Sequence, residues 1–139
     1  MKIGNKKGIA LTELLLTIAL IAVITAGGLF VYKSVLLSLS LNNETELLQH
    51  YLKNAQSTAE IYGRSVKWEM VGDKYTITDI EDKTVLKERK VPKHIKVQGE
   101  SLTFTDQLRP EQGRTITLTS GKRLRKITVD PSTGRVRLW

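Results

Sequence analysis

The chain has 139 residues, with 22 Lys plus Arg against 14 Asp plus Glu, a net charge of +8 and room for one modest domain beside an apolar segment. It has no cysteine, which excludes a disulfide framework and a thiolate metal site. His50 and His94 lie far apart in sequence and do not by themselves form the convergent ligand set a metal needs.

The first eight residues hold Lys2, Lys6 and Lys7 and no acid. Glu13 is then the only charge between Lys7 and Lys33. Residues 14–32 are uncharged, and as a helix they span about 28 Å, close to the hydrocarbon thickness of a bilayer. Lysines before the run and a long polar region after it predict the N-terminus inside and the bulk of the chain outside. A secretory signal peptide is the rival reading, but this run is longer than its usual apolar core and continues into more helix. A carboxylate at a membrane centre costs roughly 2.5–3.5 kcal/mol on insertion scales and less near an end, so Glu13 is a functional candidate in need of a partner.

Past Lys33 the apolar residues thin to a stripe, Leu47, Leu48, Tyr51, Leu52, Ala55, Ala59 and Tyr62, at helical spacing. Glu44, Glu46, Lys53 and Glu60 fill wet positions, and Gly63 is placed to end the helix. Residues 9–62 are expected to form one helix of about 80 Å. Gly27-Gly28 is its weak point, with a kink or melted turn expected there, because each glycine costs about 1 kcal/mol relative to alanine.

This segment resembles the start of a type IV prepilin or pseudopilin. That family has a short basic leader ending in glycine, a cut just after it, and glutamate at the fifth mature position, which Gly8, Ile9 and Glu13 match. The usual first mature residue is phenylalanine, so Ile9 departs from the pattern. Many members have a proline partway down the helix, and Phe30 stands near that place here. The resemblance implies cleavage between Gly8 and Ile9 by a membrane prepilin peptidase and N-methylation of Ile9. The new amine on Ile9 and Glu13 of a neighbouring subunit can then neutralise each other in a low dielectric, which would set subunit register in a filament. The expected organisation is a cleaved leader over residues 1–8, a transmembrane and filament-core helix over 9–33, its amphipathic continuation over 34–63, and a β head over 64–139.

After Gly63 the period changes to two. Residues 65–70 and 75–80 alternate about the turn Val71-Gly72-Asp73-Lys74 and read as a hairpin. Further strands are expected at 84–88, 94–97, 101–105, 115–119, 124–129 and 135–138, with breaks at Pro92, Gly99, 110–113, Ser120-Gly121 and 130–134. The fold class is α+β, a long N-terminal helix packed against a small antiparallel sheet. No catalytic constellation or cofactor motif stands out. Ser120-Gly121-Lys122 lacks the upstream glycine spacing of a phosphate loop. Asp79, Glu81 and Asp82 form an acidic cluster whose spacing fits a solvated turn rather than a calcium loop.

Residues 64–139 hold 17 Lys plus Arg against 10 Asp plus Glu, which points to a polyanion or an anionic surface. Lys122, Arg123, Arg125 and Lys126 precede 130–134, and Gly134-Arg135-Val136-Arg137-Leu138-Trp139 follows. In a strand Arg135 and Arg137 share a face, at a spacing of about 7 Å that suits successive phosphates. If the last two strands pair as a hairpin, the faces carrying Arg123, Arg125, Arg135 and Arg137 are expected to form one basic patch. Trp139 either caps the core, the favoured reading, or stacks on a base.

The head, through residues 54–60, Leu102-Thr103-Phe104, 115–118 and Gly134-Arg135-Val136-Arg137, resembles H-type minor pseudopilins of type II secretion, DNA-binding minor pilins and Gram-positive competence pseudopilins. In the DNA-binding relatives a Gly-Arg-x-Arg tail contacts DNA. The resemblance implies a minor pilin of a competence pilus, held in the cell membrane with its head outside or at the cell surface, binding double-stranded DNA by its backbone. Its partners are then other major and minor pilins and the prepilin peptidase. The alternative is a purely structural minor pseudopilin of a pilus or secretion filament tip, whose basic face meets partner pilins or wall polymers.

Overall fold

The computed structural model describes residues 4–107, 110 and 112–139, with side chains from Gly8 onward; residues 1–3 of the expected leader lie outside them. One helix, α1, runs from Gly4 to Tyr62. Eight strands follow: β1 (Val66–Val71), β2 (Lys74–Asp79), β3 (Val85–Lys90), β4 (Lys96–Gln98), β5 (Leu102–Phe104), β6 (Arg114–Ser120), β7 (Arg123–Val129) and β8 (Val136–Leu138). The chain divides into two compact units, Met1–Leu37 and Ser38–Trp139.

In the first unit, every residue from Gly8 to Lys33 is exposed, and the apolar ones include Leu16, Val23 and Phe30. The segment is long and apolar enough to cross a membrane, with a mean hydropathy of 2.6 in its most apolar window. Its threonine hydroxyls are satisfied within the helix. Thr12 Oγ1 donates to Ile9 O at 2.8 Å, Thr17 Oγ1 to Leu14 O at 2.8 Å and Thr25 Oγ1 to Ile21 O at 2.7 Å. Hydrocarbon offers no hydrogen bonds, so such internal pairing is what a spanning helix requires. Of the kink or melted turn expected at Gly27-Gly28, the melted turn does not form, since both glycines stay helical. The cost, about 1 kcal/mol per glycine relative to alanine, is small enough for a long helix to continue through the pair.

In the second unit, α1 buries Leu41, Leu48, Leu52, Ala55 and Ala59 along one stripe. The core is completed by Val66, Trp68, Tyr75, Phe104, Leu102, Ile116, Leu118, Ile127 and Val129 from the strands. The helix ends at Gly63, which takes φ 60°. Arg64 N donates to Ala59 O at 3.1 Å and Gly63 N to Glu60 O at 3.4 Å, the paired bonds of a left-handed glycine cap. Tyr62, placed by periodicity on the apolar stripe, is instead exposed beside this cap.

The head holds two antiparallel sheets rather than one, ordered β3-β2-β1-β5 and β4-β6-β7-β8. The β1–β2 hairpin forms in the expected place, with Val71 opposite Lys74. Strand β5 then returns to the other edge of β1, with Val66 opposite Phe104. The β6–β7 hairpin joins Ser120 to Arg123, and β8 pairs with β7 through Val129–Val136 and Ile127–Leu138.

Glu44, read as a wet helix position, is buried. Arg89 of β3 holds it with a fork, Nε to Oε1 at 2.9 Å and Nη2 to Oε2 at 2.8 Å. The Tyr75 hydroxyl donates to the same carboxylate at 3.4 Å. Burial first, and then the Glu44 charge, push the Tyr75 phenol well above its ordinary range. The hydrogen bond to Glu44 likewise raises the Arg89 guanidinium above its ordinary value.

Candidate nucleic-acid interface

Strand parity decides which basic residues share a surface. On β7, Arg123 and Arg125 alternate with Leu124 and Lys126 and fall on the side of buried Ile127 and Val129. Arg125 is half-buried, and its Nε donates to Asn42 Oδ1 of α1 at 3.0 Å. On β8, Val136 lies opposite Val129 and is buried, while Arg137 lies opposite Thr128 and is exposed. The last two strands therefore do pair as a hairpin, but the expected single patch does not form. Register places Arg125 and Arg137 on opposite faces of the sheet. Arg123 and Arg125 run along the helix-facing side, whereas Lys126 and Arg137 share the outer one. Lys122 sits exposed in the β6–β7 turn.

Arg135 precedes β8, is exposed, and is fixed through its carbonyl, which accepts from Asp130 N at 3.0 Å. Arg135 and Arg137 line a groove of about 460 Å³ with Lys53, Gln56 and Ser57 of α1. Gln49 Nε2 donates to Val136 O at 3.3 Å, which ties the same helix face to β8. Lys53 is thus a third cation beside the tail. It lies four residues after Gln49 on one helix face, but nothing local in the sequence says that the tail docks there.

The described ion pairs engage Arg64, Lys67, Lys74, Arg89, Lys90 and Arg114. Among the described residues, none engages Lys53, Lys122, Lys126, Arg135 or Arg137. The outer face of the second sheet carries Lys96, Gln98, Thr115, Thr117, Thr119, Lys126, Thr128 and Arg137, with no carboxylate on its paired strands. Trp139 extends this face: its N donates to Lys126 O at 2.8 Å and its O accepts from Lys126 N at 3.0 Å. The indole is 67% exposed, so Trp139 does not cap the core as expected. The face-to-face parity with Lys126 turns it away from Ile127.

The other candidates resolve into structural roles. Arg64 bridges Asp79, at 3.2 Å, and Asp82, and Asp79 Oδ1 accepts from the amides of Glu81 and Asp82. Burial works to raise the Asp79 carboxyl, but Arg64 and these amides together hold it below the usual carboxylate range. No metal-binding cluster occurs among the described residues. His94 Nε2 lies 2.8 Å from Ser40 Oγ, and His50 Nδ1 lies 3.3 Å from Asn54 Nδ2. In the first unit, Gly8, Ile9 and Glu13 all lie in exposed helix. Glu13 has no hydrogen-bonding or ionic partner among the described residues.

No protein-family model matches the sequence, and no curated protein matches it. Solved structures do match in fold. The type IV minor pilin FimU of Pseudomonas aeruginosa superposes with a TM-score of 0.62 at 19% identity, over 71% of this chain and 87% of FimU. A second crystal form of FimU gives 0.61 at 18% identity, over 70% and 91%. The minor pseudopilin EpsH from the type 2 secretion system of Vibrio cholerae gives 0.63 at 12% identity, over 72% of this chain and 96% of EpsH. The long helix with its antiparallel head is thus the fold of minor pilins and minor pseudopilins.

Proposed function

We propose that this chain is a minor pilin of a competence-type filament whose head binds extracellular DNA for uptake. The observation that carries the DNA reading is the groove lined by Arg135, Arg137 and Lys53, none of which has a carboxylate partner among the described residues. Arginine forks suit phosphate oxygens, and the contacts are to the backbone, so binding is independent of sequence and sensitive to salt.

The filament reading rests on the apolar helix, the fold and the placement of Glu13. Residues 1–8 serve as a leader, removed between Gly8 and Ile9 by a prepilin peptidase, with N-methylation of Ile9. Residues 9–33 hold the subunit in the membrane, head outside, until assembly. Glu13 then meets the Ile9 amine of a neighbouring pilin, two charges that are costly alone and tolerable together.

Titration of the full chain in detergent micelles with labelled duplex DNA tests the DNA reading. If Lys53, Lys126, Arg135 and Arg137 neutralise about four phosphates, the slope of log affinity against log salt is about −3.6. Absence of binding at low salt, together with co-purification of the chain with other minor pilins, would leave a purely structural tip subunit in its place.

A further inference from the structure

We propose that a cleft on the outer face of the second sheet takes an unstacked base of single-stranded DNA, with Trp139 as its platform. The inference rests on the reading that the tail binds DNA and adds a preference for strands whose bases are free. The cleft has a volume of about 490 Å³ and is lined by Thr115, Thr128, Pro131, Arg137 and Trp139 among others. Its wall depends on Gly113, where a Cβ would stand 2.6 Å from Pro131 Cδ, so only glycine lets the proline ring close in.

Trp139 is presented rather than buried. Two backbone bonds to Lys126 fix its position, while its ring stays largely in solvent. An exposed indole at a fixed register position is a stacking surface already ordered before a ligand arrives. Arg137 is two residues away on the same face, the spacing at which a base on Trp139 leaves its phosphate within reach of a guanidinium. The hydroxyls of Thr115 and Thr128, 3.5 Å apart, offer donors and acceptors to a base edge. Asp130 also lines the cleft, but its Oδ1 is taken by Ser132 N at 2.8 Å, Ser132 Oγ at 2.6 Å and Thr133 N at 3.4 Å. A duplex keeps its bases stacked inside and cannot fill the cleft, whereas a single strand, a frayed end or a gap can.

The test uses the full chain in detergent micelles and three labelled probes: oligothymidylate, an abasic strand of the same length, and duplex. The intact chain is expected to bind oligothymidylate about tenfold more tightly than the abasic strand. Trp139→Ala should bring oligothymidylate down to the abasic level and leave duplex binding unchanged, and Trp139→Tyr should keep most of the difference. Equal binding of oligothymidylate and abasic strand by the intact chain overturns the proposal, as does a Trp139→Ala chain that retains the difference. If duplex binding persists in either case, the base cleft alone has failed. If none of the three probes binds at low salt, the DNA reading has failed with it. Base-dependent binding without duplex binding would uphold the cleft and sink the duplex reading.

Discussion

Glu13 and Glu44 lie on the same helix, in regions that handle a carboxylate in opposite ways. In the unit of residues 38–139, Glu44 is buried and held by a guanidinium fork and a phenol from the head. In the unit of residues 1–37, Glu13 stands among exposed apolar side chains with no partner among the described residues. The head pairs its buried carboxylate internally and closes its own core, although the buried Trp68 Nε1 has no hydrogen-bond partner among the described residues. The apolar half leaves both its surface and its charge to be completed from outside. Hydrophobic surface of this extent requires lipid or other subunits, and a charge within it requires a counter-charge.

Glu13→Val gives the largest effect on this contrast. On the proposed pairing, the variant should still be cleaved after Gly8 yet be missing from sheared filaments on an immunoblot, because it lacks the carboxylate proposed to meet the Ile9 amine of a neighbouring subunit. Incorporation at the normal level would break the comparison from the side of the apolar half.

Trp68→Ala attacks the other side. Trp68 is fully buried, so truncation should destabilise the head by about 3–5 kcal/mol in denaturant unfolding, with no effect on cleavage. Arg89→Met should cost less, about 2 kcal/mol, because the Arg89 side chain is 38% exposed and water partly replaces it. Removing both partners, with Glu44→Leu added, should cost less than Arg89→Met alone, since no buried charge is then left unpaired.

The smallest effect is a dependence on pH. Asp79 is held below the ordinary carboxylate range in the folded head, so the unfolded chain binds more protons near pH 4. Its contribution is complete above that pH and is lost as acid protonates the folded group. Arg64→Ala should therefore lower the melting temperature slightly at neutral pH, and the gap from the parent chain should narrow as pH falls below about 4.

All eight strands fall where alternation and turn residues place them, because both signals are local. The split into two sheets was not legible. It depends on β5 returning to β1, and no local pattern records which edge a distant strand will choose. Glu44 was misplaced for a related reason: its burial depends on Arg89, 45 residues away. Composition and spacing picked out the basic residues of the last two strands and the turn between β6 and β7, but not Lys53 beside the tail, nor the division of the others between two faces. The Val129–Val136 register sets it, and a shift of one residue in the intervening loop would reverse it.

That division gives the most direct test of the DNA account. Two doubly substituted full-length chains, Arg135→Ala with Arg137→Ala and Arg123→Ala with Arg125→Ala, carry the same net charge. Duplex titrations at several salt concentrations compare them. The account predicts that the tail pair loses most of the affinity and about two units of salt slope, while the β7 pair changes both far less. Equal losses in the two chains would contradict it, because net charge rather than the tail groove would then govern binding.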